Sequence, residues 1–235
     1  MFSIYGILIS LGILCALLTA ETLVKPKEKN TLWALVFWGI LGGLIGARTY
    51  HVIDYWWLYS QKPLLILDLR TGGIGIWGAI AGGFLAGYIY LKHTKKEALK
   101  WFDVVAVVFP LAQAVGRLGN FFNRELYGKA TNLPWGIHIN QTNQKYHPLF
   151  AYEALLNLLL FIGLYSLYQE KKKKLAPGTF FTLYLGGYAF IRFFLEFLRI
   201  NPWSVFGLNV AQTISILVLI YVIYFIGSRR FQAKK

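Results

Sequence analysis

The sequence predicts an all-α integral membrane protein of seven transmembrane helices, with the N-terminus outside, the C-terminus in the cytoplasm and a polar extracytoplasmic arm. Of its 235 residues, 57% are hydrophobic and only 14% charged, against about a quarter charged in a soluble domain. Apolar stretches long enough to cross a hydrocarbon core of about 30 Å recur along the chain. Basic residues cluster between those stretches in alternation, as the sidedness of membrane insertion requires. The net charge of +14 is thus read as a topology signal, and no nucleic-acid partner is expected.

The first stretch, about 2–22, has no basic residue ahead of it and no small-residue cleavage site, so it reads as a retained helix and not a signal peptide. It contains Cys15, the one cysteine, which excludes a disulfide framework and a cysteine-based metal site. Further spans fall at about 32–52, 73–91, 102–120, 149–168, 178–197 and 207–227. These runs are continuous where barrel strands would alternate, so helices are expected. After the odd-numbered spans come Lys25, Lys27 and Lys29; Lys92, Lys95, Lys96 and Lys100; Lys171, Lys172, Lys173 and Lys174; and Arg229, Arg230, Lys234 and Lys235. The intervening segments hold Lys62, Arg70, Arg124, Lys129, Lys145 and Arg199. The richer side is cytoplasmic, and an odd number of spans satisfies every loop at once. The outward segment 121–148 is too polar to span and forms the arm or cap. Residues 1–235 are expected to make a single polytopic membrane domain.

Apart from loop charges, Arg48, Arg117, Arg192 and Glu196 remain near the outer ends of spans 2, 4 and 6. Charge at that depth marks a site or a paired cluster. Arg192 and Glu196 are four apart and can pair on one helical face, while Arg48 and Arg117 can snorkel to phosphates. Three arginines at one depth, with fewer acids, favour an anionic ligand, and a guanidinium fork matches a phosphate. A phospholipid headgroup is the anion available there. The glycines of "GGLIGARTY" (42–50) and "GGIGIWGAIAGG" (72–83), Gly78 among them, allow close helix packing or backbone approach to that ligand. A phospholipid transporter or flippase would use the same arginines, but it needs polar groups through the whole bundle. The inner halves of spans 4 and 6 offer only Asp103 and scattered hydroxyls.

The stretch "GRLGNFFNRELYG" (116–128) carries Gly116, Arg117, Gly119, Asn120, Phe121, Asn123, Glu125 and Gly128. It resembles the signature G-R-x-G-N-F-x-N-x-E-x-x-G of the prolipoprotein diacylglyceryl transferase family. "IYGILIS" with Tyr5, "GARTYHVIDY", "YHPLFAYEALLN" with His147, Tyr152 and Glu153, "GGYAFIRFFLEFLR" with Tyr188, Arg192, Glu196 and Arg199, and "GLNVAQTISI" with Gln212 are similar to further family segments. One departure stands out. Where many members carry histidine in G-G-x-x-x-H-G-G, this chain has Trp77, which cannot accept a proton.

The resemblance implies a multi-pass enzyme of the bacterial inner membrane, without cofactor or metal. It moves the diacylglyceryl group of phosphatidylglycerol onto the lipobox cysteine thiol of a prolipoprotein signal peptide and releases glycerol phosphate. Arg117 and Arg192 would clamp the phosphate and stabilise the leaving group, with Asn120, Asn123 and Tyr5 as hydrogen-bond partners. Glu125 and Glu196 would orient the arginines, His147 would be the fallback base, and Arg48, Gly78 and Gly128 would contact the lipid. A thiol beside these cations ionises with little further help.

Overall fold

A computed structural model describes residues 4–68, 72–139 and 143–232. Arg70, Lys234 and Lys235, part of the charge count above, lie outside the described residues. The helices are α1 (Ile4–Leu23), α2 (Lys29–Asp54), α3 (Trp56–Tyr59), α4 (Ile76–His93), α5 (Ala98–Phe122), α6 (Leu149–Lys171), α7 (Thr179–Leu195) and α8 (Val210–Gln232). Among the described residues, two short antiparallel hairpins interrupt the helical pattern. In one, β1 (Ile137–His138) pairs with β2 (Lys145–Tyr146); in the other, β3 (Ser204–Val205) pairs with β4 (Leu208–Asn209).

Among the described residues, six helical segments are long and apolar enough to cross a membrane: Ile4–Leu23, Pro26–Asp54, Ala98–Phe122, Leu149–Lys171, Thr179–Leu198 and Val210–Ser228. The third expected span forms the 18-residue helix α4, about 27 Å long. Its hydropathy is diluted by Gly78, Gly82, Gly83 and Gly87 and by Lys92 and His93 at its end, so it is not among the six. The exposed faces of the spans are apolar, as on α8, where Leu217, Ile220, Ile223 and Tyr224 are all exposed. Such a surface is matched to lipid and not to water.

The chain, expected as one domain, divides into two compact units: Met1–Leu23 with Phe102–Lys235, and Val24–Trp101. In the second, α2 and α4 run antiparallel with glycine on glycine. A methyl group built on Gly46 or Gly78 would overlap the other's carbonyl oxygen, and Gly42 and Gly82 face each other in the same way. Small residues four apart let two backbones approach where lipid offers no hydrophobic drive for association. At the far end, Glu28 and Lys100 form an ion pair of 2.9 Å.

In the first unit, α1 lies on α5 at two glycines: a Cβ on Gly12 would come 2.9 Å from the Ala112 carbonyl oxygen, and one on Gly119 2.6 Å from the Tyr5 ring. Gly186 of α7 abuts Val222 of α8. The buried Asp103 accepts the backbone N–H groups of Gly178 at 2.7 Å and Phe181 at 2.8 Å, capping the start of α7. A carboxylate suits that place because it satisfies orphan donors and the positive end of the helix dipole. The one acidic residue of the N-terminal halves of spans 4 and 6 therefore has a structural partner.

Candidate active site

The C-terminal ends of α5 and α7 and the N-terminal end of α6 converge on one carboxylate. Glu153, in the second turn of α6, is 1% exposed. Its Oε1 accepts Nη2 of Arg117 from α5 at 2.8 Å and the Tyr188 hydroxyl from α7 at 3.2 Å. Its Oε2 lies 3.6 Å from Nη1 of Arg192, also on α7. Arg192 donates its Nη2 to Glu196 at 2.8 Å, and Arg199 approaches the same carboxylate at 3.4 Å. Arg117, Glu153, Arg192, Glu196 and Arg199 thus alternate in sign along one continuous path. Three guanidinium groups face two buried carboxylates, leaving one positive charge over. The carboxylates are enclosed, whereas the Arg117 and Arg192 side chains keep 28% and 18% of their surface open. The exposed edges of the cluster are cationic donors.

The end of the signature stretch turns back on this cluster. Asn120 is buried; its Oδ1 is 3.5 Å from Arg117 Nη1, and its Nδ2 donates to Glu125 at 2.8 Å. Asn123 donates to the same carboxylate oxygen at 3.1 Å. Glu125 is reached by a tight turn in which Arg124 (φ 52°) and Leu126 (φ 62°) both adopt the left-handed conformation. Each costs about 1 kcal/mol or more for a residue with a Cβ, which the hydrogen bonds of Glu125 help to offset. Gly128 follows, clasped between the Leu198 carbonyl and the His147 and Leu149 side chains, and its N–H donates to His147 O at 2.8 Å. Lys129 N–H donates to Leu198 O at 2.8 Å, fastening the arm to the turn that carries Glu196 and Arg199. His147 Nδ1 lies 3.2 Å from the Tyr152 hydroxyl, which also accepts Trp135 Nε1 at 2.7 Å. Tyr5 packs its ring on Gly119, next to Asn120.

A family model described as prolipoprotein diacylglyceryl transferase matches residues 1–227 of this chain. A protein of Finegoldia magna named phosphatidylglycerol–prolipoprotein diacylglyceryl transferase is 37% identical over 218 residues, covering 92% of this chain and 86% of the relative. Proteins of the same name from Clostridioides difficile (40% over 219 residues; 92% and 86% covered) and Trichormus variabilis (36% over 225 residues; 90% and 80% covered) are similar throughout. The chain belongs to the prolipoprotein diacylglyceryl transferase family.

In this family member the unit holding the cluster brings together Arg117, Arg192, Asn120, Asn123, Glu125 and Glu196, with Tyr5, Gly128 and His147 around them. Two of the expected lipid contacts belong to the other unit, Val24–Trp101, and do different work there. Arg48 is buried and donates to the carbonyl oxygens of Ile66 (2.9 Å), Gly72 (2.7 Å), Gly73 (3.0 Å), Asp68 (3.0 Å) and Leu65. With its guanidinium 5.1 Å over the Tyr59 ring, it ties down the loop between α3 and α4 and has no donor left over for a phosphate. Gly78 is buried against Gly46 and Tyr50, so its missing side chain serves helix packing. Trp77, beside it on α4, is half-exposed.

Glu153 and Tyr188 stand in segments similar to the family's but are not among the site residues expected from the sequence. The signal for Glu153 was present: it is the one charged residue in the apolar run 149–168, and a lone carboxylate inside a span marks function by default. Its two arginine partners come from the preceding and the following long helix, beyond the reach of any local spacing.

Proposed function

We propose that this chain transfers the diacylglyceryl group of phosphatidylglycerol to the thiol of a prolipoprotein, with the lipobox cysteine of the signal peptide as acceptor and glycerol phosphate as leaving product. The observation that carries this reading is the pair of guanidinium groups, from α5 and α7, anchored on the single buried carboxylate of Glu153. The one positive charge in excess matches the single negative charge of a phosphodiester. Glu125, exposed and occupied by the two asparagines, stands outside that balance.

The chemistry follows from the charge flow. The thiol sulfur attacks the terminal glycerol carbon of the diacylglyceryl group, a C–S bond forms and the C–O bond to phosphate breaks. Negative charge grows on the departing phosphate, where preorganised donors lower the barrier most. Arg117 and Arg192 are those donors, and Glu153 fixes their direction before the substrate arrives. The thiol proton balances the proton that the departing phosphate takes up. Cations beside the thiol lower its pKa, so Trp77 does not need to act as a base.

We further propose that α4 is the seventh span and that the protein lies in the bacterial inner membrane with its arm outside. The support is parity: six crossings would put the clusters at Lys25 to Lys29 and Lys171 to Lys174 on opposite sides, against the sidedness rule. Incubating the purified protein with phosphatidylglycerol and a lipobox peptide tests the activity. A mass gain of one diacylglyceryl group on the peptide thiol, with release of glycerol phosphate, is expected; an unmodified peptide overturns the reading.

A further inference from the structure

One turn inward of the charged cluster lies a second polar layer. Four residues from Arg117 on α5 is Gln113, four from Glu153 on α6 is Asn157, and four from Tyr188 on α7 is Tyr184. Because α5 and α7 run toward the cluster and α6 runs away from it, each step of four moves inward by about 6 Å and stays on the same helical face. The Tyr184 hydroxyl donates to Gln113 Oε1 at 3.3 Å, and its ring stacks on Tyr188 with centroids 6.1 Å apart. Phe109 packs edge-on against Tyr184 at 5.7 Å.

Asn157 is 0% exposed, and among the described residues neither its Oδ1 nor its Nδ2 has a hydrogen-bond partner. A buried carboxamide with both ends unmade is rare, and proteins commonly satisfy such groups with ordered water. Directly above it, Glu153 Oε2 faces Arg192 only at 3.6 Å, beyond hydrogen-bond length, and so has acceptor capacity to spare. Charge narrows the guest. Arg117 and Arg192 disfavour a cation and Glu153 an anion, whereas two carboxamides and a phenol suit a neutral molecule that both donates and accepts.

We propose that Gln113, Asn157 and Tyr184 hold one buried water molecule, and that this water bridges Asn157 to Glu153 Oε2 and so orients the carboxylate on which both clamp arginines rest. Asn157 is then a positioning residue for the phosphate clamp, an inference that rests on the function proposed above.

Hydroxyl-radical footprinting by X-ray radiolysis of the protein in phosphatidylglycerol nanodiscs tests the water, because a bound water marks the side chains that touch it. Wild type should show oxidation of Tyr184 despite its burial, with the fully exposed Phe206 as internal reference. Asn157→Leu, of similar volume, should lower Tyr184 oxidation at least fivefold and kcat/KM for phosphatidylglycerol about tenfold, the worth of one hydrogen bond to a charged group. Asn157→Ser, which keeps a donor and an acceptor, should recover kcat/KM to within threefold of wild type. In a Glu153→Gln background, Asn157→Leu should add less than twofold, as coupled residues do. An unlabelled Tyr184 in wild type alongside a labelled Phe206 overturns the water site. A folded Asn157→Leu with normal kcat/KM overturns the positioning role. The footprint is independent of activity, so it stands apart from any failure of the transferase reading.

Discussion

Replacing Glu153 by glutamine keeps the shape of the hub and removes its charge. The hydrogen bond of 2.8 Å from Arg117 to Oε1 would pass to a neutral amide oxygen. A bond to a charged group contributes about 1.5–3 kcal/mol and a neutral one about 1 kcal/mol, so Arg117 loses about 0.5–2 kcal/mol of anchoring. On the other side, the amide nitrogen would point its own protons at Arg192 Nη1, where the carboxylate now stands 3.6 Å away. Losing that partly exposed ion pair costs about 1 kcal/mol. The two losses together, about 1.5–3 kcal/mol, correspond to a fall of about 10- to 160-fold in kcat/KM, if the same energy holds the guanidinium groups on the phosphate as the C–O bond breaks. The assay is transfer from deuterium-labelled phosphatidylglycerol to a lipobox peptide, read as mass gain, with thermal unfolding in micelles to verify the fold. A folded Glu153→Gln protein within threefold of wild type would refute the reasoning.

Arg117→Ala and Arg192→Ala should each abolish detectable transfer while the protein remains folded in the membrane, because each removes a donor aimed at the departing phosphate; His147→Ala, at the Tyr152 hydroxyl in the cap, should lower transfer less than tenfold in the same assay. Gly46→Leu puts a side chain into the carbonyl oxygen of Gly78 and should lower the thermal midpoint by about 5 °C through overpacking. Gly163→Ala, where an added Cβ meets nothing within 4 Å, should lower it not at all, and equal losses in the two variants would remove close glycine packing as the cause. Arg48→Ala frees the carbonyl groups of Leu65, Ile66, Asp68, Gly72 and Gly73, so limited proteinase K digestion should cut between Lys62 and Gly75 about tenfold faster than in wild type; an unchanged rate would mean that the loop is held by other contacts.

Membrane character, helical class and the concentration of arginine at one end of the spans follow from sequence alone, because they depend on solvent chemistry that acts locally. A run of about twenty apolar residues must form a helix in lipid wherever it sits, and lysines mark the cytoplasmic side independently of tertiary contacts. The stretch 116–128 was legible as a candidate site because its polarity at the end of a span is costly unless used. What tertiary structure decided is which charges meet. Arg48 looked equivalent to Arg117 and Arg192 by depth and residue type, yet its donors are taken by backbone carbonyls of a loop 17 to 25 residues away. Gly78 was readable either as a helix-packing glycine or as a ligand contact, and it lies against the Gly46 backbone. Glu153 became the centre because three successive helices bring Arg117 and Tyr188, 36 and 35 residues away, and Arg192 to its two oxygens. Local patterns report what a residue needs from its solvent; the partner that satisfies a buried charge is chosen by packing between helices, and that choice is not written in spacing along the chain.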